Sequence, residues 1–188
     1  CFSALLTAER HTEILGLLER APHVWWHYRR WGVQALAALG ETDAAIAYAE
    51  ASLGRNDDPR ESAPLCESIL LAAGRADDAY RRYGVLASRA SSYLATYRAL
   101  ARKYPQKPPR QLLTDLVANS PGEEGKWFAA ARDAGLHDEA LELARRAPCD
   151  PKTLTRAATD ELTERPAFAL EAGHLALRWL VEGYGYDI

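Results

Sequence analysis

Apolar positions recur every three or four residues along nearly the whole chain, broken at short intervals by Gly, Pro or a polar cluster. That period predicts amphipathic helices rather than strands. Reading from break to break predicts helices over 3–20, ending at Ala21-Pro22; over 23–39, ending at Gly40; and over 42–53, ending at Gly54. After the polar loop from Arg55 to Pro59, Ser62 is the expected N-cap, with Pro64 in the first turn of a helix that ends at Gly74. Further helices are expected over 77–89, 92–103, 109–119, 123–134, 137–147, 151–164 and 167–182. Asp150-Pro151 is a strong start, pairing a side-chain acceptor at N-cap with a ring already fixed at helical φ. Loops of two to six residues make neighbouring helices antiparallel. Only Pro105 to Pro109 resembles a stiff spacer. It marks an irregular junction at 104–109 within what reads as a single helical-repeat domain over 1–188.

Composition points the same way. The chain holds 35 Ala and 26 Leu against 4 Ile and 5 Val. Ala and Leu head the helix scale, while nine β-branched aliphatics cannot furnish a parallel sheet or a sandwich. Hydrophobic residues make up 48% of the chain, enough for a substantial core. No apolar run is long enough to span a bilayer, and no basic-then-apolar leader opens the sequence. Met is absent and the first residues already read as helix, so the expectation is a piece of a longer chain. The three cysteines (Cys1, Cys66, Cys149) are odd in number, far apart and without a CxxC pair. Reduced thiols in the cytoplasm are the simplest reading. Cys66, in an apolar helix, is expected in the core.

A short pattern repeats. Gly-x-x-Asp-x-Ala occurs at Gly40/Asp43/Ala45, Gly74/Asp77/Ala79 and Gly135/Asp138/Ala140. Its physical reading is the same in each copy. Gly leaves one helix at positive φ, Asp caps or charges the start of the next, and Ala is small enough for two helices to cross closely. The first two copies lie 34 residues apart and the next gap is 61. This spacing resembles the tetratricopeptide repeat, although the Trp-x-x-Leu-Gly signature of its first helix is missing from most units. The resemblance implies helix hairpins, about five of them, stacked as a right-handed α-solenoid with a concave surface that holds a peptide or helix. From about Gly74 onward the sequence is also similar to an uncharacterised family of bacterial helical-repeat proteins. The similarity is carried by the segments Gly122 to Ala131, Asp138 to Ala144 and Pro148 to Pro151. It implies a bacterial source and a repeat architecture, and brings no activity with it.

The densest aromatic segment runs from Trp25 to Trp31. On a helical wheel Val24, Tyr28, Trp31, Ala35, Ala38 and Leu39 form one stripe, the expected core. Trp26 falls opposite beside Arg30 and Val33, with Trp25 and Arg29 on the flank. This second face packs on the next repeat or binds a partner, since exposed Trp and Arg are enriched at interface hot spots. His23 and His27 share the i,i+4 spacing of zinc ligands, but Val24 stands where a metalloprotease needs Glu, so no metal or other cofactor is expected.

Charge is unevenly spread. From Ala79 to Thr114 there are eight basic residues and no acidic one, so the overall −3 is a +8 segment set against a −11 remainder. Five of the nine tyrosines lie in that segment, and aromatic-interleaved cations can bind single-stranded nucleic acid. The wheel separates them, however. Tyr93, Tyr97, Leu100 and Tyr104 form a core stripe, while Arg98 and Arg102 project from the other side. The ridge can pair with acidic neighbouring helices, meet an acidic protein partner or bind nucleic acid. No nucleophile elbow, P-loop, dinucleotide fingerprint or His-Glu-x-x-His is present, and no enzyme activity is expected. The resulting expectation is a non-catalytic protein–protein interaction module, a scaffold or adaptor, using Trp25, Trp26, Arg29, Arg30, Arg98 and Arg102. Anion or nucleic-acid binding through 79–114 is the alternative, as is an accessory role to a catalytic part outside this chain.

Overall fold

The computed structural model describes residues 2–21, 25–54 and 58–184, and every regular element among them is helical. The α-helices are α1 (Phe2–Thr7), α2 (His11–Glu19), α3 (Trp26–Ala38), α4 (Thr42–Ala51), α5 (Pro59–Ala72), α6 (Ala76–Ala79), α7 (Val85–Ala87), α8 (Tyr93–Lys103), α9 (Pro109–Ala118), α10 (Phe128–Asp133), α11 (His137–Arg146), α12 (Pro151–Asp160) and α13 (Pro166–Val181). A π-helical segment, Tyr80–Gly84, joins α6 to α7, and a 3-10 segment, Glu124–Trp127, leads into α10. The chain divides into two compact units between Ser88 and Arg89, ahead of the Pro-rich stretch expected to mark the junction. In the first unit α1 pairs with α2, α3 with α4, and α5 with the α6–α7 segment. In the second α8 pairs with α9, α10 with α11, and α12 with α13.

Four of these pairs are joined by the same turn. Gly40, Gly74 and Gly135 take φ of 82°, 73° and 75°, and Glu9 takes 56°. The following amide reaches back five residues in each case: Glu41 to Leu36, Arg75 to Leu70, Leu136 to Ala131 and Arg10 to Leu5, all at 2.9–3.0 Å. Those donors share one backbone shape, with φ/ψ of −85°/61°, −96°/52°, −93°/67° and −87°/56°. The next helix then begins, and its fourth residue (Ala45, Ala79, Ala140, Ile14) is fully buried. A residue at positive φ costs little for Gly and about 1 kcal/mol for a side chain. That is why three copies announce themselves in the sequence and Glu9 does not. The single helix expected over 3–20 is accordingly two, α1 and α2. Asp43, Asp77 and Asp138 lie in first helical turns, where their charge favours the dipole. The residues at N-cap, Glu41, Arg75 and Leu136, make no side-chain cap bond there.

Other local expectations shift for identifiable reasons. Ser62 is not the N-cap of α5. Asp58 is, accepting from the Arg60 amide at 2.9 Å, and the helix starts at Pro59. The Ser62 hydroxyl instead donates to the Pro59 carbonyl. The helix expected over 77–89 carries the π segment, which brings Tyr80, Tyr83 and Gly84 into the core together. The helix expected over 151–164 starts as read, with Asp150 accepting from the Lys152 and Thr153 amides, but ends at Asp160. Cys66, Tyr97, Leu100 and Tyr104 are buried as expected.

One close approach ties together the Gly122 and Pro148 segments. A Cβ on Gly125 would collide with the carbonyl oxygens of Ala147 and Pro148. Beside it, Trp127 donates to Ser120 Oγ at 2.7 Å and meets the Tyr93 ring edge-on at 4.8 Å. Gly125→Ala should therefore cost at least about 2 kcal/mol in urea denaturation, since backbone cannot yield as a side chain can. Gly135→Ala should cost about 1 kcal/mol, whereas Glu9→Gly should gain roughly 0.5 kcal/mol by relieving the turn.

Candidate functional site

The aromatic segment lies in the first unit. Helix α3 packs on α2 and α4 together, so its buried face is Gly32, Val33 and Ala35. Of the stripe expected to be core, Ala35 shares this face and Trp31 packs half-buried against Ile14, Leu18 and Ala35, but the rest turns outward. Tyr28 is 41% exposed, Ala38 and Leu39 are exposed as well, and Val24 lies outside the described residues. Gly32 sits where α3 closes on the Tyr48 ring of α4 and Leu18 of α2. Trp26 is half-buried, while Trp25, just before α3, is 58% exposed. Trp25 and Tyr28 stack with centroids 6.4 Å apart, and Phe2 meets Tyr28 edge-on. Arg29 points inward. It donates to the Leu18 carbonyl at 3.3 Å and to Tyr48 Oη at 2.8 Å. Arg30 lies 5.0 Å over the Trp31 ring.

The basic segment is divided between the units, and Arg81, Arg82, Arg98 and Arg110 meet acids. In the first unit Arg81 pairs with Asp78, and Arg82 donates to Glu50 at 2.7 Å. Tyr83 donates to the same Glu50 carboxylate at 2.7 Å. The Tyr83 hydroxyl, then Arg82, hold the Glu50 carboxyl below its usual range. In the second unit Arg98 grips Asp133 with two bonds, of 2.5 and 3.1 Å, and Arg110 pairs with Glu139. Lys103 and Lys107 are also engaged. Arg102 is exposed and without an ion pair among the described residues. Pairing with neighbouring acidic helices, one of three uses expected for the ridge, thus accounts for Arg82, Arg98 and Arg110.

The second unit contains an open groove of about 320 Å³ between α9 and α11. Leu113, Val117 and Ala118 of α9 and Leu143 of α11 give it an apolar floor. Thr114, Glu139, Glu142 and Arg146 form the rim. Arg110 bridges to Glu139 at one end, and Glu142 is held by Arg145 and Arg146 at 3.2 and 2.9 Å. The rim charges are therefore matched in place, and of the floor Val117 and Ala118 are accessible above the nearly buried Leu113 and Leu143. Sequence reading passed over these residues. The available signal was that α9 has two adjoining apolar stripes, Leu112/Leu116 and Leu113/Val117, where a helix packed on one side needs only one.

Reactive chemistry finds little footing. Cys66 and Cys149 are buried and unpaired, and burial pushes their thiols up to about 11 and about 12. Neither is an accessible thiolate at neutral pH. Among the described residues no group of His, Cys, Asp and Glu is placed to hold a metal ion, and no helix is long and apolar enough to cross a membrane. His23, the first of the expected i,i+4 pair, lies outside the described residues, as does Cys1. No known protein family, curated protein or solved structure matches the chain.

The Glu50 arrangement has a pH signature. A carboxyl whose folded pKa is depressed adds stability that is complete above its unfolded value, near 4.5, and is lost as pH falls through the lower folded value. Glu50→Gln should flatten that acid limb in a series of denaturation curves between about pH 6 and pH 3, its modest loss of stability being largest at neutral pH and vanishing toward pH 3.

Proposed function

We propose that the chain is a non-catalytic protein-interaction module whose helix pairs hold a peptide or helix from a partner in the groove between α9 and α11. The groove itself carries this reading. It is about 320 Å³, open along its length, floored by Leu113, Val117 and Leu143, and rimmed by charges already paired within the chain. Such a surface suits one or two apolar anchor side chains, with the rim excluding water around them. A second aromatic contact surface is offered by Trp25 and Tyr28, residue types favoured at interfaces. The recurrent turn at Glu9, Gly40, Gly74 and Gly135 supports a tetratricopeptide-like stack of hairpins as the scaffold. The unpaired, buried Cys66 and Cys149 suit a reducing compartment, which we take to be the cytoplasm.

Binding through the basic segment is the weaker reading, because Arg82, Arg98 and Arg110 spend their charge on Glu50, Asp133 and Glu139. The test starts from peptides selected on the wild-type chain from a displayed library. Ala118→Trp fills the groove from its exposed rim and should weaken their binding at least tenfold while the thermal midpoint holds. Equal affinity in wild type and variant would remove the groove from the site. Oligonucleotide binding that falls steeply with salt would move the assignment to the basic segment.

A further inference from the structure

Helix α13 is apolar on both faces. Phe168, Ala169, Ala172, Leu175, Ala176 and Trp179 are buried against the second unit. On the opposite side Leu170, His174, Leu177 and Val181 follow at i, i+4, i+7 and i+11, one continuous stripe. Leu170 is 63% exposed, Leu177 61% and Val181 89%. Beside the stripe a Cβ on Gly173 would meet nothing within 4 Å, so a neighbouring helix could approach closely there. A helix that is hydrophobic all round is normally covered all round. Here half of it is bare.

We propose that this face is covered by the same face of a second copy of the chain, α13 against α13 in antiparallel register about a two-fold axis near His174. Two observations select a second copy. The first is charge. Glu171 and Arg178 lie on one flank of the stripe, seven residues apart, and both are about half exposed. An antiparallel two-fold pairing brings the same flank of each helix together, because an isologous interface matches residue i with j and j with i. Centred near His174, it sets Glu171 opposite the second copy's Arg178, and does so twice. Within the chain Glu171 pairs with Arg145, and Arg178 with Glu182 at 2.9 Å. The exchange therefore adds opposite charges to existing pairs and buries no lone ion. A parallel two-fold pairing would set the two charged flanks on opposite sides of the interface and form neither contact.

The second observation is area. The stripe exposes on the order of 400 Å² of side chain, at the scale of a functional patch rather than of scattered surface leucines. An interface about 60% apolar built around it would bury about 1,300 Å² in total, inside the range of specific, stable pairs. The stripe meets itself in a register centred one residue further on, with Leu170 facing the second copy's Val181 and His174 its Leu177, an offset that the long Glu171 and Arg178 side chains can span.

The test is sedimentation equilibrium of the 188-residue chain from about 1 to 200 μM, the range in which an interface of this size associates. A reversible monomer–dimer equilibrium is expected. Leu177→Glu, at an exposed position, should weaken it at least tenfold with the helical circular dichroism unchanged. Glu171→Arg and Arg178→Glu should each weaken it, and the double variant should recover most of the loss by swapping the pair across the axis. A monomer over the whole range overturns the proposal. So does a dimer indifferent to Leu177→Glu, which places the interface elsewhere, or a double variant no better than the single ones. Leu177-dependent binding of a monomer to phosphatidylcholine vesicles would give the face to lipid instead.

Discussion

A backbone held at positive φ two residues past the end of a helix is the constraint on which much of this molecule rests. At Gly40, Gly74, Gly135 and Glu9 it lets the next amide bond five residues back and then releases the chain directly into a new helix. Because the turn has one shape, it delivers the second helix at one angle, and its fourth residue always lands in the contact between the two. Ala fills that place three times and Ile once, all fully buried. The small side chain and the left-handed turn are parts of one device: a close crossing needs both. The groove opens beside a pair that lacks it. Helices α8 and α9 are joined through Tyr104 to Pro108, where no residue takes positive φ.

Electrostatics act on a different scale. Cations of one helix repeatedly reach acids about thirty residues away: Arg75 to Asp43, Arg82 to Glu50, Arg98 to Asp133 and Arg132 to Asp160. Each pair is solvent-accessible and adds little to stability. Their value lies in register, since a helix turned by one residue would lose these pairings. This places the +8 segment in context. Three of its eight cations, Arg82, Arg98 and Arg110, find their acids on neighbouring helices.

Much of the architecture was legible in the residues. The all-helical class follows from 35 Ala and 26 Leu with few β-branched residues, and three of the four shared turns from Gly-x-x-Asp-x-Ala. The core stripe of α8 was read correctly because that helix has one clear apolar face, with Arg98 and Arg102 opposite. The same method half failed on α3, where it placed Ala35 correctly but put Tyr28 and Leu39 in the core. Aromatic and apolar residues surround α3, so a wheel offers several plausible stripes, and only the positions of α2 and α4 choose Gly32 and Val33 over Tyr28. The Glu9 turn was illegible because its αL residue is not glycine, and the π segment because its extra residue leaves no compositional mark.

The sequence by itself determined that the chain would be helical, where most helices would break and which residues would carry charge. These are local matters, set by propensity, by left-handed glycine and by N-terminal caps such as Asp150. Only the tertiary structure decided which apolar surface would be covered. On α9 Leu112, Leu113 and Leu116 are buried while Val117, only half-buried, lines an open groove, and on α13 Leu177 is bare while Leu175 is not. These two leucines are identical in chemistry and nearly adjacent in the chain. Periodicity records that a residue can be buried; whether it is depends on a neighbouring helix being there to bury it.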